Sequence, residues 1–446
     1  MKQTIHNISP IDGRYHNKTN NLKKYFSEAA LIKYRVLIEI KYFIKLVNSG
    51  IITNGQISKK KISEILKIAT EIKENDFLEI KKIEKKTNHD VKAIEYFIKN
   101  KFDKLDLQKY KEFVHFGLTS QDINNTSFPL MLKDALNFEY YPEIKKIQKK
   151  LDILIKKWIK IPMLAKTHGQ PATPTTLGKE LKVFKIRIKE QLNVLKKIPH
   201  CGKFGGATGN MNAHFVAFPN TNWHEFAKEF LNEIGLNRSY PTTQIEHYDN
   251  LAAQMDCLKR INTILIDLAR DMWMYISMNY FNQKINPDEI GSSAMPHKVN
   301  PIDFENAEGN LGLANSIFSH LANKLPISRL QRDLSDSTVV RNLGVPISHT
   351  IISISSLLSG LDKITVNKNV IFNDLNFDWA ILAEAIQTVL RREGLENPYE
   401  QLKQLTRNNT QIKKNDLLEF IDNLNISNKL KSELKQITPF NYIGKT

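Results

Sequence analysis

The chain carries its longest apolar stripe in residues 248–281, YDNLAAQMDCLKRINTILIDLARDMWMYISMNYF. Apolar side chains recur there every three or four residues over about nine turns, which is the spacing of one face of an α-helix. The stripe consists of Leu251, Met255, Leu258, Ile261, Leu265, Leu268, Met272 and Ile276. Because a helix within one domain is usually much shorter, this length predicts packing against other long helices, including helices of other subunits. A purely intramolecular core is the alternative.

Further helical patterns flank this stripe on both sides. The same periodicity predicts long helices over residues 128–158, 177–198, 303–321 and 338–361. Shorter helical patterns precede and follow them, and alternation typical of strands is almost absent. The sequence therefore predicts an all-α protein with three domains, whose boundaries are 1–111, 112–362 and 363–446. The middle domain would hold the long-helix bundle.

The composition is that of an ordinary globular protein, with 41% hydrophobic and 25% charged residues in 446. Residues 1–6 lack the apolar core of a secretory signal, and no apolar run approaches about 20 residues, so a cytoplasmic location is expected. Cys201 and Cys257 are the only cysteines, and neither belongs to a CxxC pair. A disulfide framework and a cysteine-based zinc site are therefore disfavoured.

The formal net charge of +17 raises the question of nucleic-acid binding. The lysines are dispersed, however, and runs such as 59–61 and 145–146 fall between apolar residues at helical spacing. Such lysines are more simply the solvated faces of helices. The charge is compatible with an anionic small-molecule substrate and does not by itself indicate nucleic acid.

Four polar segments between the helices concentrate reactive side chains. They are residues 113–122 (FVHFGLTSQD), 166–174 (KTHGQPATP), 291–301 (GSSAMPHKVNP) and 330–341 (LQRDLSDSTVVR). Each has a plain structural alternative, since a lone histidine is usually a hydrogen-bonded structural residue and a hydroxyl before a helix is usually a cap. No HxxxH or GxSxG pattern occurs, which disfavours a metal site and a serine hydrolase.

Segment 291–301 resembles the signature loop of the fumarase/aspartase superfamily, whose members release fumarate from succinyl compounds. Together with residues 87–92 (TNHDVK), 113–122, 167–174 and 242–246 (TTQIE), it resembles the adenylosuccinate lyase family specifically. The resemblance runs from residue 12 to residue 444. It implies the three-domain fumarase/aspartase-type fold, a central bundle that forms a tetrameric core, and cleavage of adenylosuccinate to AMP and fumarate. It also implies cleavage of succinyl-aminoimidazole-carboxamide ribotide to its carboxamide, in purine biosynthesis.

The same resemblance implies roles for individual residues. Ser292 is expected to be the base and His168 the acid, with Lys298 stabilising the serine oxyanion and Glu305 orienting His168; a plain capping charge is the alternative for Glu305. Phosphate contacts are expected from Arg14, Tyr15, Arg332, Ser337 and Arg341. Contacts to the succinyl carboxylates are expected from Thr119, Ser120, Lys298 and Asn300, with His89 and Gln244 nearby. The remaining predicted substrate contacts are Asn88, Asp90, His115, Thr167, Met295, Arg329 and Thr338, of which Arg329 has a structural role as its alternative.

A homotetramer with composite active sites is the assembly that the resemblance implies, with purine nucleotides as substrates and no metal or organic cofactor. Neither nucleic acid nor a membrane is expected as a partner. Two alternatives to this function stay open at this stage. One is another fumarate-releasing lyase, such as argininosuccinate lyase, aspartase or fumarase, and the other is a non-enzymatic basic helical binding protein.

Overall fold

The structure is a computed structural model that describes residues 5–52, 57–284, 294–295, 297–407 and 411–445. Helices dominate it, which confirms the predicted all-α class. The N-terminal helices are α1 His16–Thr19, α2 Lys23–Phe26, α3 Glu28–Asn48, α4 Lys59–Thr70, α5 Glu74–Thr87 and α6 Asp90–Lys104. Ser27 caps α3 by accepting the Ala30 backbone N–H at 3.1 Å, as expected for a serine before an apolar helix.

The middle of the chain contains the long helices. They lie among shorter ones in the order α7 Ser120–Ala135, α8 Tyr141–Trp158, α9 Leu177–Lys197, α10 Asn212–Ala217, α11 Trp223–Glu233, α12 Asp249–Ser277, α13 Ile302–Lys324, α14 Ser335–Val340 and α15 Gly344–Lys363. A π-helical turn, Leu136–Tyr140, joins α7 to α8. In residues 128–158 the sequence predicts a break at Pro142, but the structure changes from α-helix to π-helix earlier, at Leu136. Pro142 lies in the first turn of α8, where a missing backbone N–H costs little.

The C-terminal helices are α16 Lys368–Phe377, α17 Ala383–Arg392, α18 Pro398–Thr406, α19 Lys414–Asn423 and α20 Asn428–Lys435. Trp379, Leu382, Ile386 and Leu390 belong to a buried apolar cluster that includes residues of α17, α18, α19 and α20. The remaining helical pieces are 3₁₀ turns at Asn20–Leu22, Gln108–Phe113 and Trp379–Leu382.

Within the described residues, the strands form three two-stranded sheets. Strand β1 Pro162–Thr167 pairs antiparallel with β2 Gln170–Thr176, β3 Cys201–Gly202 pairs parallel with β4 Asn237–Arg238, and β5 Phe281–Gln283 pairs antiparallel with β6 Ile364–Val366. The β1–β2 hairpin occupies a segment in which prolines exclude helix. A two-stranded ribbon tolerates them because its outer edges need no backbone donors.

The stripe that predicts the longest helix is buried in α12. Met255, Leu258, Ile261, Leu265, Leu268 and Met272 are inaccessible to solvent, and Leu251 is nearly so. Only Ile276, in the last turn of the helix, is half-buried. Burial of this size contributes roughly 1.5–3 kcal/mol per side chain, so the stripe and not helix propensity holds α12 in place.

The chain divides into two compact units. Unit 1 consists of Met1–Ile144, Gln191–Thr263 and Gly309–Ser355, and unit 2 consists of Lys145–Glu190, Ile264–Glu308 and Ser356–Thr446. In unit 1, the core includes the edge-to-face pair of Phe43 and Phe102, whose ring centroids are 4.8 Å apart. In unit 2, Trp158 and Phe281 pack with their centroids 5.3 Å apart. Helices α8, α9, α12, α13 and α15 each contribute residues to both units.

One described segment, Ser335–Lys363, is long and apolar enough to cross a membrane when judged by length and composition alone. Most of its apolar window, 78%, is buried inside the protein. The core helix of a globular bundle has the same properties, so the segment is weak evidence for a membrane span.

Candidate active site

A cavity of about 520 Å³ in unit 1 gathers many of the predicted substrate contacts. Three separate parts of the chain meet there: the α5–α6 junction, the start of α7 and the segment around α14. The predicted residues that line it are Asn88, His89, Asp90, Ser120, Arg332, Ser337, Thr338 and Arg341. Glu84, Asn124 and Leu334 complete the lining.

The α5–α6 junction turns sharply and thereby aims His89 at α7. Asn88 ends α5 in the left-handed conformation with φ 50°, which asparagine tolerates better than most residues. His89 then caps α6, and its Nδ1 accepts the Lys92 backbone N–H at 3.0 Å. A neutral ring bonded in this way carries its proton on Nε2. That nitrogen lies 3.4 Å from Ser120 Oγ, so the imidazole and the hydroxyl present one polar surface.

Asp90 binds two guanidinium groups through a single oxygen. Its Oδ2 accepts from Arg35 Nη2 and from Arg341 Nη2, each at 2.7 Å, and its Oδ1 accepts the Val91 N–H at 2.9 Å. Burial alone would raise the pKa of Asp90, but the Arg35 charge and the hydrogen bonds outweigh it and lower the pKa to about 2. The carboxylate is therefore ionised throughout the neutral range.

Arg332 is held on the other side of the cavity. Its Nη2 donates to Ser337 Oγ at 2.9 Å and its Nη1 donates to Gln244 Oε1 at 3.4 Å. Gln244, although outside the cavity lining, is thus in contact with a predicted phosphate-binding arginine. Asp336 also contacts Arg332, because its Oδ1 lies 3.6 Å from Arg332 Nε. Its Oδ2 accepts a hydrogen bond from Tyr248 Oη at 3.0 Å.

Thr119 and Ser120 begin α7 above a buried ion pair. The Thr119 backbone N–H donates to Asp122 Oδ2 at 2.8 Å, which is half of a capping box. Asp122 Oδ1 binds Lys203 Nζ at 2.8 Å and accepts the Gly205 N–H at the same distance. Both charged side chains have no solvent exposure. The pair therefore connects the start of α7 rigidly to the loop that follows β3.

His115 adopts a left-handed backbone with φ 60° and binds a buried carboxylate. Its Nδ1 lies 2.6 Å from Glu39 Oε1, and Glu39 is completely buried. Burial would lower the pKa of His115, but the charge and hydrogen bond of Glu39 outweigh burial and raise that pKa. The protonated ring is thus favoured in the folded protein.

We expect His115→Gln to destabilise the protein more at pH 6 than at pH 9. A raised folded-state pKa contributes stability that is fully present below the unfolded pKa, near 6.5, and is lost as pH rises through the folded value. At pH 6 the loss should be about 1.5–3 kcal/mol, typical of a hydrogen bond to a charged group. Urea unfolding of both proteins at the two pH values measures it. Equal losses at both values would mean that His115 is neutral in the fold.

His168 lies at the tip of the β1–β2 hairpin in unit 2. Thr167 and Gln170 are paired across the hairpin, so His168 and Gly169 form a two-residue turn. Both have positive φ, 53° and 75°, as a type I′ turn requires. Thr167 and His168 are exposed there, which leaves the imidazole accessible to a ligand.

Glu305 lies in the first turn of α13, also in unit 2. Its Oε1 accepts a hydrogen bond from Trp273 Nε1 at 3.0 Å. An orienting contact from Glu305 to His168 stays a prediction. Glu305 occupies the first turn of α13, and this position also agrees with the alternative role of a plain capping charge.

The signature loop is described only in part. Ser292 lies outside the described residues. Met295 and Lys298 are exposed, and the Lys298 backbone N–H donates to Met295 O at 3.0 Å. Asn300 is half-buried, and the neighbouring Val299 O accepts from Gln283 Nε2 at 2.8 Å, so β5 anchors the end of the loop.

Three further predicted contacts lie outside the cavity lining in unit 1. Arg14 is exposed, with its guanidinium 5.9 Å from the Tyr15 ring centroid, and the Tyr15 N–H donates to Pro10 O at 2.8 Å. Arg329 is 84% exposed and lies 3.6 Å from Asp333. This intrasegment ion pair fits the structural alternative for Arg329.

The charged residues behind the cavity are the part of the site that the sequence analysis missed. They are Arg35, Glu39, Asp122, Lys203 and Asp336, all buried. One signal could have found the first two, because Arg35 and Glu39 fall among the apolar residues of the segment that forms α3. A charge on the apolar side of a helix needs a buried partner, which indicates an internal network.

The architecture has close counterparts among solved structures. A fumarate lyase from Mesorhizobium sp. BNC1 superposes with a TM-score of 0.72 at 18% identity and covers 95% of both chains. A 3-carboxy-cis,cis-muconate lactonizing enzyme from Pseudomonas putida gives 0.70 at 19% identity, over 95% of this chain and 94% of that one. The family described as "Lyase" matches residues 13–315. Fold and family together place the chain in the lyase class and confirm the predicted fumarase/aspartase-type fold.

Nearly full-length relatives narrow this class. "Adenylosuccinate lyase" of Dictyostelium discoideum is 55% identical and that of Escherichia coli strain K12 is 47% identical, each over 98% of this chain and 96% of the relative. The family described as "Adenylosuccinate lyase C-terminal" matches residues 328–443. The chain belongs to the adenylosuccinate lyase family, as the motif resemblance predicts.

Proposed function

We propose that this protein cleaves adenylosuccinate to AMP and fumarate, and succinyl-aminoimidazole-carboxamide ribotide to aminoimidazole-carboxamide ribotide and fumarate, in purine biosynthesis. The cavity of unit 1 is the observation that carries this proposal. It combines two arginines with hydroxyl groups and an imidazole, which suits a ligand with a phosphate and carboxylates. A fumarate-releasing lyase that acts on a small amino acid would have no phosphate for Arg332 and Arg341 to bind.

The substrate phosphate binds between Arg332 and Arg341. Arginine forks match phosphate oxygens in pairs, and Ser337 Oγ, already bonded to Arg332, adds a hydroxyl. Arg14 and Tyr15 contribute from the N-terminal segment. The remaining substrate contacts are Asn88, Asp90, His115, Thr167, Met295, Arg329 and Thr338, and Gln244 lies near the succinyl carboxylates.

The succinyl carboxylates bind near the start of α7. Thr119 and Ser120 offer hydroxyls at the N-terminus of α7, where the helix dipole favours an anion. His89 Nε2 lies beside Ser120 Oγ and adds a donor. Lys298 and Asn300 supply a cation and an amide from the signature loop.

The elimination needs a base and an acid on the two sides of the bond that breaks. Ser292 removes a proton from the succinyl carbon beside the carboxylate, and the C–H electron pair becomes the double bond of fumarate. The C–N bond breaks with its electrons on nitrogen, which His168 protonates. Lys298 stabilises the serine oxyanion, and Glu305 orients His168. No metal or organic cofactor takes part in these steps.

The direct test mixes the purified protein with adenylosuccinate and follows AMP and fumarate by chromatography. Equal molar amounts of both products are expected. Argininosuccinate, aspartate and malate serve as control substrates, because they release fumarate without a nucleotide. A folded protein that leaves adenylosuccinate intact would contradict the proposed function, and turnover of a control substrate instead would reassign it within the superfamily.

We also propose that the protein is a homotetramer whose active sites combine residues of several subunits. Long helices in unit 2 expose apolar side chains that a single subunit leaves in water. Val183 and Ile186 on α9 and Trp273 and Met274 on α12 are 43%, 44%, 40% and 52% exposed. Their burial between long helices of neighbouring copies would form the tetrameric core.

Mixing two inactive variants tests the composite site. Ser292→Ala and His168→Gln proteins are each expected to be inactive, and reassembled mixed tetramers should regain up to about a quarter of wild-type activity, since random assortment restores both residues in one site of four. Activity is measured after mild dissociation and reassociation. The control pairs Ser292→Ala with the Ser292→Ala/His168→Gln double variant, which must stay inactive. No recovery despite demonstrated subunit exchange would mean that one subunit supplies both residues.

The cytoplasm is the proposed location of this activity. Cys201 and Cys257 are both free thiols. Burial raises the pKa of each thiol, so neither is a ready thiolate nucleophile, and free cysteines of this kind are usual in a reducing compartment.

A further inference from the structure

Arg35 lies in the middle of α3, directly behind the cavity of unit 1. Its side chain is 1% exposed, and its Nε donates to Asn124 Oδ1 at 2.9 Å. Its Nη2 donates to Asp90 Oδ2 at 2.7 Å. Asn124 and Asp90 both line the cavity, whereas Arg35 is absent from the lining. The guanidinium thus contacts the cavity wall from behind and is shielded from any ligand.

The charges around Asp90 do not cancel. Its Oδ2 sits between the guanidinium groups of Arg35 and Arg341, so one negative charge faces two positive charges. Arg341 is 39% exposed and is the member of the pair that a ligand can reach. If Arg35 were neutral, Asp90 would compensate Arg341 alone, and these side chains together would lose their excess of positive charge.

The other charges near the cavity make this excess distinctive. Arg332 already faces a buried carboxylate, with Asp336 3.6 Å from its Nε. Glu28 lies 3.5 Å from Arg341 but is half exposed, and Glu84 lines the cavity. Both carboxylates pair with Lys81, Glu28 at 3.4 Å and Glu84 at 2.6 Å. An exposed carboxylate is screened by water, while the buried Arg35 is not. Arg35 therefore supplies the positive charge that no buried carboxylate cancels.

We propose that Arg35 is a positioning residue for the substrate phosphate: it engages Asp90 from behind, and so leaves Arg341 with positive charge to offer the ligand. This inference rests on the proposed function, in which Arg341 binds the phosphate. Arg35 itself never touches the substrate. Its effect should appear in the binding of the phosphate and be absent from the chemical step.

The first test compares Arg35→Met with the wild-type protein on two substrates. For adenylosuccinate we expect KM to rise about tenfold and kcat to stay within about threefold, since one nearby charge is lost and the reacting atoms are untouched. For its dephosphorylated form, succinyladenosine, kcat/KM should stay within about twofold. Equal losses on both substrates, or a loss in kcat alone, would overturn the proposal in favour of a general structural role.

Two further variants keep the test decisive if Arg35→Met folds poorly. Arg35→Lys preserves the charge and should keep KM within about threefold. Arg35→Met/Asp90→Asn removes the buried cation together with its carboxylate partner and leaves Arg341 uncompensated. Any substrate contact of Asp90 itself is lost with both substrates, so the ratio of KM for adenylosuccinate to KM for succinyladenosine should return to within about threefold of the wild-type ratio. Arg238→Met removes a half-buried guanidinium that contacts His224 O and Phe204 O, and serves as the matched control. A tenfold rise of KM in Arg35→Lys, or no recovery in the double variant, would overturn the charge account.

Failure of the proposed function is separable from failure of this inference. If the wild-type protein cleaves neither substrate, the proposed lyase activity is wrong. The proposed effect of Arg35 on phosphate binding can still be tested by measuring the affinity for AMP by calorimetry. Arg35→Met should then weaken AMP binding about tenfold and Arg35→Lys by no more than about threefold. Unchanged AMP affinity in Arg35→Met would overturn the inference whatever the catalytic result.

Discussion

His168→Gln is expected to lower kcat for adenylosuccinate by about 10²- to 10⁴-fold while KM stays within about threefold. The side chain is the proposed acid, and without it the departing nitrogen must leave unprotonated. His168 lies at the exposed tip of the β1–β2 hairpin, so the substitution removes no buried contact. A fall in kcat can therefore be attributed to the lost imidazole and not to a destabilised fold. Stability should change by no more than about 0.5 kcal/mol. Steady-state kinetics and a urea unfolding curve check the two parts of this expectation.

The control is His320→Gln, which removes an exposed histidine of α13 and should leave kcat unchanged. Turnover near the wild-type rate in His168→Gln would remove His168 from the acid role. A parallel rise in KM with unchanged kcat would instead assign the ring to substrate binding.

Lys203→Met should cost about 3–5 kcal/mol of unfolding free energy. Lys203 and Asp122 form an ion pair in which neither side chain is exposed, and the substitution leaves the Asp122 carboxylate buried without its cation. Asp122 also accepts the Thr119 N–H, so the loss should loosen the start of α7. Chemical denaturation measures the stability, and KM for adenylosuccinate should rise in whatever fraction stays folded.

The matched control is Lys67→Met. Lys67 lies 3.8 Å from Glu71, and both side chains are about three-fifths exposed. Removing one partner of such an exposed pair should change stability by no more than about 0.5 kcal/mol. If Lys203→Met were equally mild, the buried pair would contribute little and the start of α7 would depend on its backbone hydrogen bonds alone.

The long helices were predictable because their signal is local. A stripe such as the one in α12 repeats at the period of the helix, so burial of one face and helix formation require the same residues. Residues 87–90 are predictable for a similar reason, since a polar cap followed by an apolar periodic run marks a helix start, and α6 begins at Asp90.

The β1–β2 hairpin was not predictable from periodicity. Its prolines exclude helix without indicating a strand, and the pairing of Thr167 with Gln170 depends on two left-handed residues, only one of which is a glycine. A histidine at positive φ carries no local signature. The hairpin turn that presents His168 is therefore a product of the surrounding fold.

The charge network behind the cavity depends on contacts between distant parts of the chain. Arg35 and Asp90 are 55 positions apart, and Asp90 and Arg341 are 251 apart. Motifs identify Asp90 and Arg341 as candidates, but no local pattern shows that both guanidinium groups share one carboxylate oxygen.

The sequence by itself determined the helical class, the long bundle helices, the family and the residues to examine, because hydrophobic periodicity and motifs are local properties of the sequence. Only the tertiary structure decided which of those residues share the cavity of unit 1, that His168 lies on a hairpin turn, and that Arg35 and Lys203 are buried behind the site. Burial and pairing of charges depend on distance in space, and that distance exists only once the helices have packed.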